Sequence, residues 1–404
     1  MRTTRRLLLF FLLPACSEPD PAPPSPDDAS VPDDLTVRDL AVRPPRDLAR
    51  MPPDLLPPRV QLRDPVAVTA GAAPLYIHAA DLDGDGKLDL ATANYFGDDV
   101  SVLLGKGDGT FAAAKHYPAA KGPNALALAD WNSDGKLDLA VSNFDADSVA
   151  ILLGKGGGAF APRVTYACGW GPSSVAAGDL DGDGAPDVAL TLAREHKLSI
   201  LGGTGDGTLR MPATYASGVN PFSVVLADLD GDALLDAAVA NGDSGTVSIF
   251  HGRGDGTVSA VVGTFDVGGS PTQLLARDLD GDGKLDLVVA NFGTHCAGVL
   301  RGKGDGTFDK HQCYEAGRGA GSIAIADLDG DGKLDLAVAD HDDEKLSILC
   351  GRGDATFDEA FDAPSGPTPY WIVAGDFDGD GKPDLVTAND MAYELTFLGN
   401  ATKP

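Results

Sequence analysis

The nine residues DLDGDGKLD, Asp81 to Asp89, decide the fold of this chain. Strings of the form D-x-[DN]-x-D-[GA]-x-x-D open at Asp81, Asp130, Asp179, Asp228, Asp278, Asp327 and Asp376, at successive spacings of 49, 49, 49, 50, 49 and 49 residues. So regular a spacing marks a structural repeat, with one string per unit. Each string forces four side-chain oxygen donors together. They are Asp81, Asp83, Asp85 and Asp89 in the first, then Asp130, Asn132, Asp134 and Asp138, then Asp179, Asp181, Asp183 and Asp187. The remaining sets are Asp228, Asp230, Asp232 and Asp236; Asp278, Asp280, Asp282 and Asp286; Asp327, Asp329, Asp331 and Asp335; and Asp376, Asp378, Asp380 and Asp384. Unit charges about 4 Å apart repel by roughly 4 kcal/mol at an effective dielectric of about 20, so four ionised carboxylates call for a bound cation.

Laid over one another, the repeats share G-x-x-P, a short apolar run, the acidic string, a second apolar run ending in Asn or Asp, a loop, a third apolar run, a glycine-rich turn and a last strand. Ser322 to Cys350 shows most of it, as SIAIA, DLDGDGKLD, LAVAD, HDDEK and LSILC. Runs of four to six Val, Ile, Leu and Ala residues bounded by Gly and Asp are strand grammar. GKGDGTF at 105–111 and 302–308 supplies a hairpin turn. Four antiparallel strands per repeat predict one propeller blade, and seven repeats predict an all-β, seven-bladed propeller over residues 59–400. Only six glycine-rich turns accompany the seven strings, so the last blade lacks its outer strand. Leu62 stands 12 residues before Pro74, as Phe111 does before Pro123, so the segment from Val60 to Val68 is expected to close the ring on the last blade. Closure removes an edge that would otherwise invite aggregation.

These strings resemble the FG-GAP or VCBS-type repeats of seven-bladed propellers, the head of integrin α subunits among them. The resemblance covers residues 60 to 400. It implies that each acidic loop joins the first two strands of a blade and binds calcium through the side chains at positions one, three, five and nine and the backbone carbonyl at position seven. Those carbonyls belong to Lys87, Lys136, Ala185, Leu234, Lys284, Lys333 and Lys382. Up to seven calcium ions follow.

Calcium also suits the residues themselves, since it accepts six to eight hard oxygens in a flexible cage where magnesium demands a tight octahedron. An EF-hand needs a glutamate at position 12 and flanking helices, and these loops have neither. The plainer alternative is polar turns whose aspartates cap backbone amides. Two loops depart from the pattern: Asn132 removes a charge from the second, and Ala233 stands where the other six strings have glycine. Both are expected to bind calcium most weakly.

The formal charge is −29, and 27 carboxylates occupy the expected metal positions, Asn132 being the one amide. Seven divalent ions would leave a charge near −15, which still argues against nucleic acid and against an electrostatic grip on anionic lipid. Residues 1–16 read as an export signal, with Arg2, Arg5 and Arg6 before an apolar Leu7 to Leu13 run too short to span a bilayer. Leu13-Pro14-Ala15-Cys16 resembles the bacterial lipoprotein box, which would make Cys16 the lipidated first residue; an ordinary secretory signal is the alternative, and Thr4-Arg5-Arg6 weakly resembles a twin-arginine signal. Residues 17–58, rich in Pro, Asp, Ala and Arg, are expected to form a disordered tether. The protein is therefore expected outside the cytoplasm, as an outer-membrane or cell-surface lipoprotein or a secreted protein, touching the membrane only through Cys16.

Arg253-Gly254-Asp255 and Arg352-Gly353-Asp354 spell an adhesion tripeptide, but they fill the slot where other blades read Lys-Gly-Asp and are read as turn variants. Cys296 and Cys313 are centred on one glycine-rich turn and are expected to face each other as a cross-strand disulfide or as two buried thiols; Cys168 and Cys350 have no evident mate. The loops opposite the metal loops carry Tyr95, Phe96, Phe144, Arg194 to His196, His295, His341 and Asp342, with Trp170, Phe222, Tyr370 and Trp371 near the inner strands. Gathered at one mouth they would stack on a sugar or peptide, although Phe222 and Trp371 suit a wedge between blades. No catalytic constellation is recognisable, and every loop there is short. The reading is a monomeric calcium-binding surface module for a protein or glycan ligand. The alternative is a polysaccharide-active enzyme, since related propellers include lyases and dehydratases.

Overall fold

The computed structural model describes residues 60–402, in which every regular element is a strand. The expected signal, the Cys16 anchor and the tether lie outside the described residues. In the first repeat Pro74–Ala80, Asp89–Asn94, Asp99–Leu103 and Lys115–Pro118 pair in that order as an antiparallel sheet. The same order recurs until seven four-stranded sheets make a seven-bladed β-propeller. We number the blades by their acidic strings.

Burial explains the composition of each strand. The second strand, DLATAN in blade 1, is buried along its whole length because neighbouring blades cover both of its faces, so its residues are small or apolar throughout. The outer strand, KHYP, is mostly exposed and correspondingly polar. The core is not one mass but seven clusters, each drawn from two adjacent blades. Position two of every acidic string belongs to it: Leu82, Trp131, Leu180, Leu229, Leu279, Leu328 and Phe377 are all buried. The acidic loops are thus pinned to the blade interfaces by their second residue. Burying a side chain of that size contributes about 1.5–3 kcal/mol.

Ring closure follows the expectation with a shift along the chain. Val66–Thr69 pairs with Glu394–Leu398, Val66 opposite Phe397 and Thr69 opposite Glu394, and supplies the outer strand of blade 7. Leu62 makes a separate bridge to Asn400, as Phe111 does to Gly105. The glycine-rich turn therefore ends in a single bridge, and the outer strand begins a few residues later. In blade 7 the two chain segments meet inside that turn.

The cysteine pair is bonded, Cys296 to Cys313, with Cα atoms 5.7 Å apart. They are not directly opposite, however. Cys296 pairs with Glu315 and Cys313 with Gly298, so the bridge is diagonal, because the hairpin is centred one residue later than the midpoint of the two cysteines. Cys168 and Cys350 are buried thiols.

Candidate metal centres and the opposite face

Each acidic loop runs from the first strand of its blade to the second, and backbone amides organise its carboxylates. In blade 1, Asp81 accepts from Gly84 N (2.7 Å) and Asp85 N (3.1 Å) on one oxygen and from Gly86 N (2.8 Å) on the other. Asp83 accepts from Asp85 N at 3.1 Å, and Asp85 from Lys87 N at 3.0 Å. The aspartates do cap amides, as the plainer alternative held. Capping also converges them: one oxygen each from Asp81, Asp83 and Asp85 lie within 4.8 Å of one another, and similar groups form from Asp179, Asp181 and Asp187, from Asp228, Asp230 and Asp236, and from Asp278, Asp280 and Asp282. In blade 6 Asp329 and Asp335 are joined by the Cys350 thiol. Where the cluster is all carboxylate, its hard oxygens suit a calcium-type ion rather than a nitrogen- or sulfur-seeking metal.

Position nine has a second role that its spacing does not announce. Asp89 is fully buried and accepts from Leu82 N (2.8 Å) in its own loop and from Gly105 N (2.7 Å) in the glycine-rich turn. Asp138, Asp187, Asp236, Asp286, Asp335 and Asp384 repeat the clasp, Asp384 with Asn400 N in place of the glycine. Burial raises the pKa of all seven, Asp335 and Asp384 to about 6. The glycine turn in turn reaches the preceding blade: Gly109 N donates to Phe377 O (3.0 Å), Gly207 N to Trp131 O (2.8 Å), Gly256 N to Leu180 O (3.1 Å) and Gly306 N to Leu229 O (3.0 Å). One loop therefore carries a cluster of carboxylates that could hold a metal, a blade clasp and a blade-to-blade bond.

Position seven donates its amide to the carboxylate at position five in every loop, through Lys87, Lys136, Ala185, Leu234, Lys284, Lys333 and Lys382. Where it is lysine, its ammonium also lies beside that carboxylate, at 2.8 Å for Lys136 and Asp134, for example. Ala233 has a φ of +69°, the left-handed backbone that glycine adopts in its place elsewhere. Ser133 does the same at position four with a φ of +56°, where the other six strings have glycine. The second loop thus carries two departures, not one. In both adhesion-like tripeptides the aspartate is committed to its own turn, Asp255 to Thr257 and Asp354 to Thr356.

The sequence matches the FG-GAP-like repeat at residues 81–141, 130–190, 228–289, 278–338 and 327–387. The chain belongs to the FG-GAP repeat family. No curated protein matches this FG-GAP propeller. Among solved structures it is similar to an Agrocybe aegerita lectin that recognises non-reducing terminal N-acetylglucosamine, at 19% identity over 81% of this chain and 86% of the lectin, with a TM-score of 0.51. It is also similar to the Pseudomonas aeruginosa periplasmic gluconolactonase (18% identity, 73% and 86% covered, TM-score 0.55). Virginiamycin B lyase from Staphylococcus aureus is a third (14% identity, 84% and 99% covered, TM-score 0.56). At such identities the likeness is one of fold.

Antiparallel order puts the acidic loops and glycine turns at one end of the blades and the remaining connections at the other. At that opposite end several sequence candidates turn out to be braces. His196 accepts from Asn220 N (3.0 Å) and His295 from Gly319 N (3.2 Å), the role that Asp98 and Asp147 fill towards Gly122 and Gly171. Tyr95 is buried and donates to Asp145 at 2.9 Å. Trp371 stacks on Tyr76 with centroids 4.4 Å apart, bridging blades 7 and 1. Arg194 lies over the Phe144 ring at 4.4 Å, paired with Asp145 and Asp147. His341 bonds Asp342 (2.8 Å) and Asp390 (3.2 Å); burial opposes its charge, but the two carboxylates outweigh it and raise its pKa. Beside it, burial lifts the Asp340 carboxyl to about 7.

The exposed aromatic side chains of this end are Phe96 (48% exposed), Trp170 (65%) and Tyr393 (70%). Tyr393 escaped the sequence reading because it lies in the last blade's loop, outside any aromatic cluster. The inner strands also line a half-open cavity of about 290 Å3, bordered by Tyr76, His78, Ser174, Ser223, Gln273 and Trp371 among others. Its polar groups are largely spent on holding blades together: Ser223 accepts from Leu274 N (3.1 Å) and Gln273 from Ile323 N (2.6 Å).

Proposed function

We propose that this FG-GAP propeller is an exported, calcium-stabilised binding module that takes a protein or glycan ligand on the face opposite its metal loops, held at the cell surface by a lipid on Cys16. Calcium would sit on the side chains of positions one, three, five and nine and the carbonyl of position seven, neutralising a crowded set of acids that the fold otherwise holds together against repulsion. The observation that carries the binding reading is the sidedness of the aromatics: among the described residues, the strongly exposed rings, Phe96, Trp170 and Tyr393, all lie on that one face. Exposed rings stack on sugar faces and anchor peptide side chains. The likeness in fold to a lectin that recognises N-acetylglucosamine supports the glycan form of this reading.

The test is a glycan array and an envelope pull-down with the calcium-loaded chain, each repeated with Phe96→Ala, Trp170→Ala and Tyr393→Ala combined. Binding that disappears in the triple variant supports the reading. Turnover of a polysaccharide without stable binding would replace it with an enzyme.

A further inference from the structure

The half-open cavity of about 290 Å3 is lined by inner strands from six of the seven blades, which puts it on the axis of the ring. In a chain with 60 acidic and 31 basic residues, no aspartate, glutamate, lysine or arginine lines it. Its polar groups are Tyr76 and His78 from blade 1, Ser174 from blade 3, Ser223 from blade 4 and Gln273 from blade 5. The ring of Trp371, from blade 7, packs against Tyr76 to form an aromatic wall.

The bonds that hold the blades together here use oxygens alone. Ser174 Oγ accepts from Val224 N (3.4 Å), Ser223 Oγ from Leu274 N (3.1 Å) and Gln273 Oε1 from Ile323 N (2.6 Å). Among the described residues, the hydrogens of both serine hydroxyls, the Gln273 amide nitrogen and the Tyr76 hydroxyl have no partner. Neither the Tyr76 oxygen nor the Gln273 nitrogen is sealed off from solvent, so both open into the cavity.

His78 supplies the complement. Its Nδ1 lies 3.2 Å from Ala79 O, and because a carbonyl only accepts, Nδ1 carries the hydrogen and Nε2 of the neutral ring is left as an acceptor. Burial lowers its pKa, which keeps the ring uncharged at neutral pH. The same place in the inner strand is apolar in the other six blades, as Ala127, Ala176, Val225, Leu275, Ala324 and Val373. The fold therefore does not require an imidazole there.

Four donor groups and one acceptor, spread over four blades beside an aromatic wall, match a ligand with hydroxyls around its edge and an apolar face. A charged ligand would give up its hydration there without meeting a counter-ion. The space holds about ten waters at roughly 30 Å3 each, enough for one sugar ring and too little for an oligosaccharide. We infer that the axial cavity binds a single neutral monosaccharide, with Tyr76, Ser174, Ser223 and Gln273 donating to its oxygens and His78 Nε2 accepting from one of its hydroxyls. The site is separate from the exposed rings of the opposite face, and neither needs the other.

The test is calorimetric titration of the full chain, in calcium buffer, with glucose, galactose, mannose and N-acetylglucosamine, and with glucuronate as the charged comparator. At least one neutral sugar should bind saturably, one per chain, and glucuronate about tenfold more weakly or worse. His78→Ala, the residue that blades 2 and 3 carry, strands no protein group and should weaken binding about tenfold, the worth of one hydrogen bond. Ala176→Leu, which copies Leu275 of blade 5, should fill the cavity and abolish binding. Should Ala176→Leu fold poorly, His78→Ala with an unchanged melting temperature still decides the matter. Saturable binding by none of the four neutral sugars would overturn the inference, as would glucuronate binding best. Binding that survives both variants but is lost when Phe96, Trp170 and Tyr393 are all alanine would overturn the cavity site and uphold the exposed face.

Discussion

Asp85 and Asp89 stand four residues apart in one loop yet answer to different forces. Asp85 is exposed and pairs with Lys87, whereas Asp89 is buried and holds two backbone amides from separate turns. Removing a buried charged acceptor strands both donors, so Asp89→Ala should cost about 2–4 kcal/mol in urea unfolding even without metal. Asp85→Ala should leave metal-free stability nearly unchanged and reduce calcium binding. The buried carboxylates also set a pH dependence. Their folded pKa values lie above the usual 3.8, at about 6 for Asp335 and Asp384 and about 7 for Asp340, so the folded state holds protons that the unfolded chain releases. Metal-free protein should therefore lose stability as pH rises from about 4 to about 7, as read from melting temperature. Asp85, Asp134, Asp183 and Asp282 are shifted down by bonds to their loop neighbours, with Lys87, Lys136 and Lys284 the basic ones, and act only below that window. A melting temperature that climbs through the same range would contradict the assignment.

At the scale of elements, the blade was legible because its period and its strand grammar are both local. The convergence of the acidic string was equally legible, since its carboxylates fall within nine residues. What the string concealed is what its donors do across the sheet: the clasp of Asp89 on Gly105 and the bond from Gly109 to Phe377 join residues far apart in the chain, and no spacing rule reports them. The Cys296–Cys313 disulfide was one of the two readings the sequence left open, and only its register was off, by one residue. His196 and His295 looked like recognition residues because they vary, yet that position accepts any side chain able to take an amide hydrogen. Closure was legible from counting strands. Val66–Thr69 covers Glu394–Leu398, and deleting residues 60–69 should leave blade 7 with an open edge and abolish the cooperative melting transition. A truncated chain that melts as the intact one does would show that the ring is held shut by the interface of blades 7 and 1 alone.

Over the whole molecule, each apolar cluster joins two blades, each acidic string sends its second residue into such a cluster, and in at least four places the glycine turn of one blade is bonded to the metal loop before it. A metal bound in the acidic loops would thereby be coupled to the blade interfaces that hold the ring. The ligand surface we propose lies at the far end, where the exposed Phe96, Trp170 and Tyr393 would meet a ligand without disturbing the acidic loops. Ligand that binds only the folded ring must stabilise it by mass action, so removing calcium should act on the global transition rather than on local fraying. The most direct measurement is elemental analysis of the purified protein paired with its melting temperature before and after chelation. The account predicts bound calcium, a single transition that moves down on chelation, and recovery with calcium but not with magnesium; a protein that contains no calcium and melts identically in chelator would contradict it.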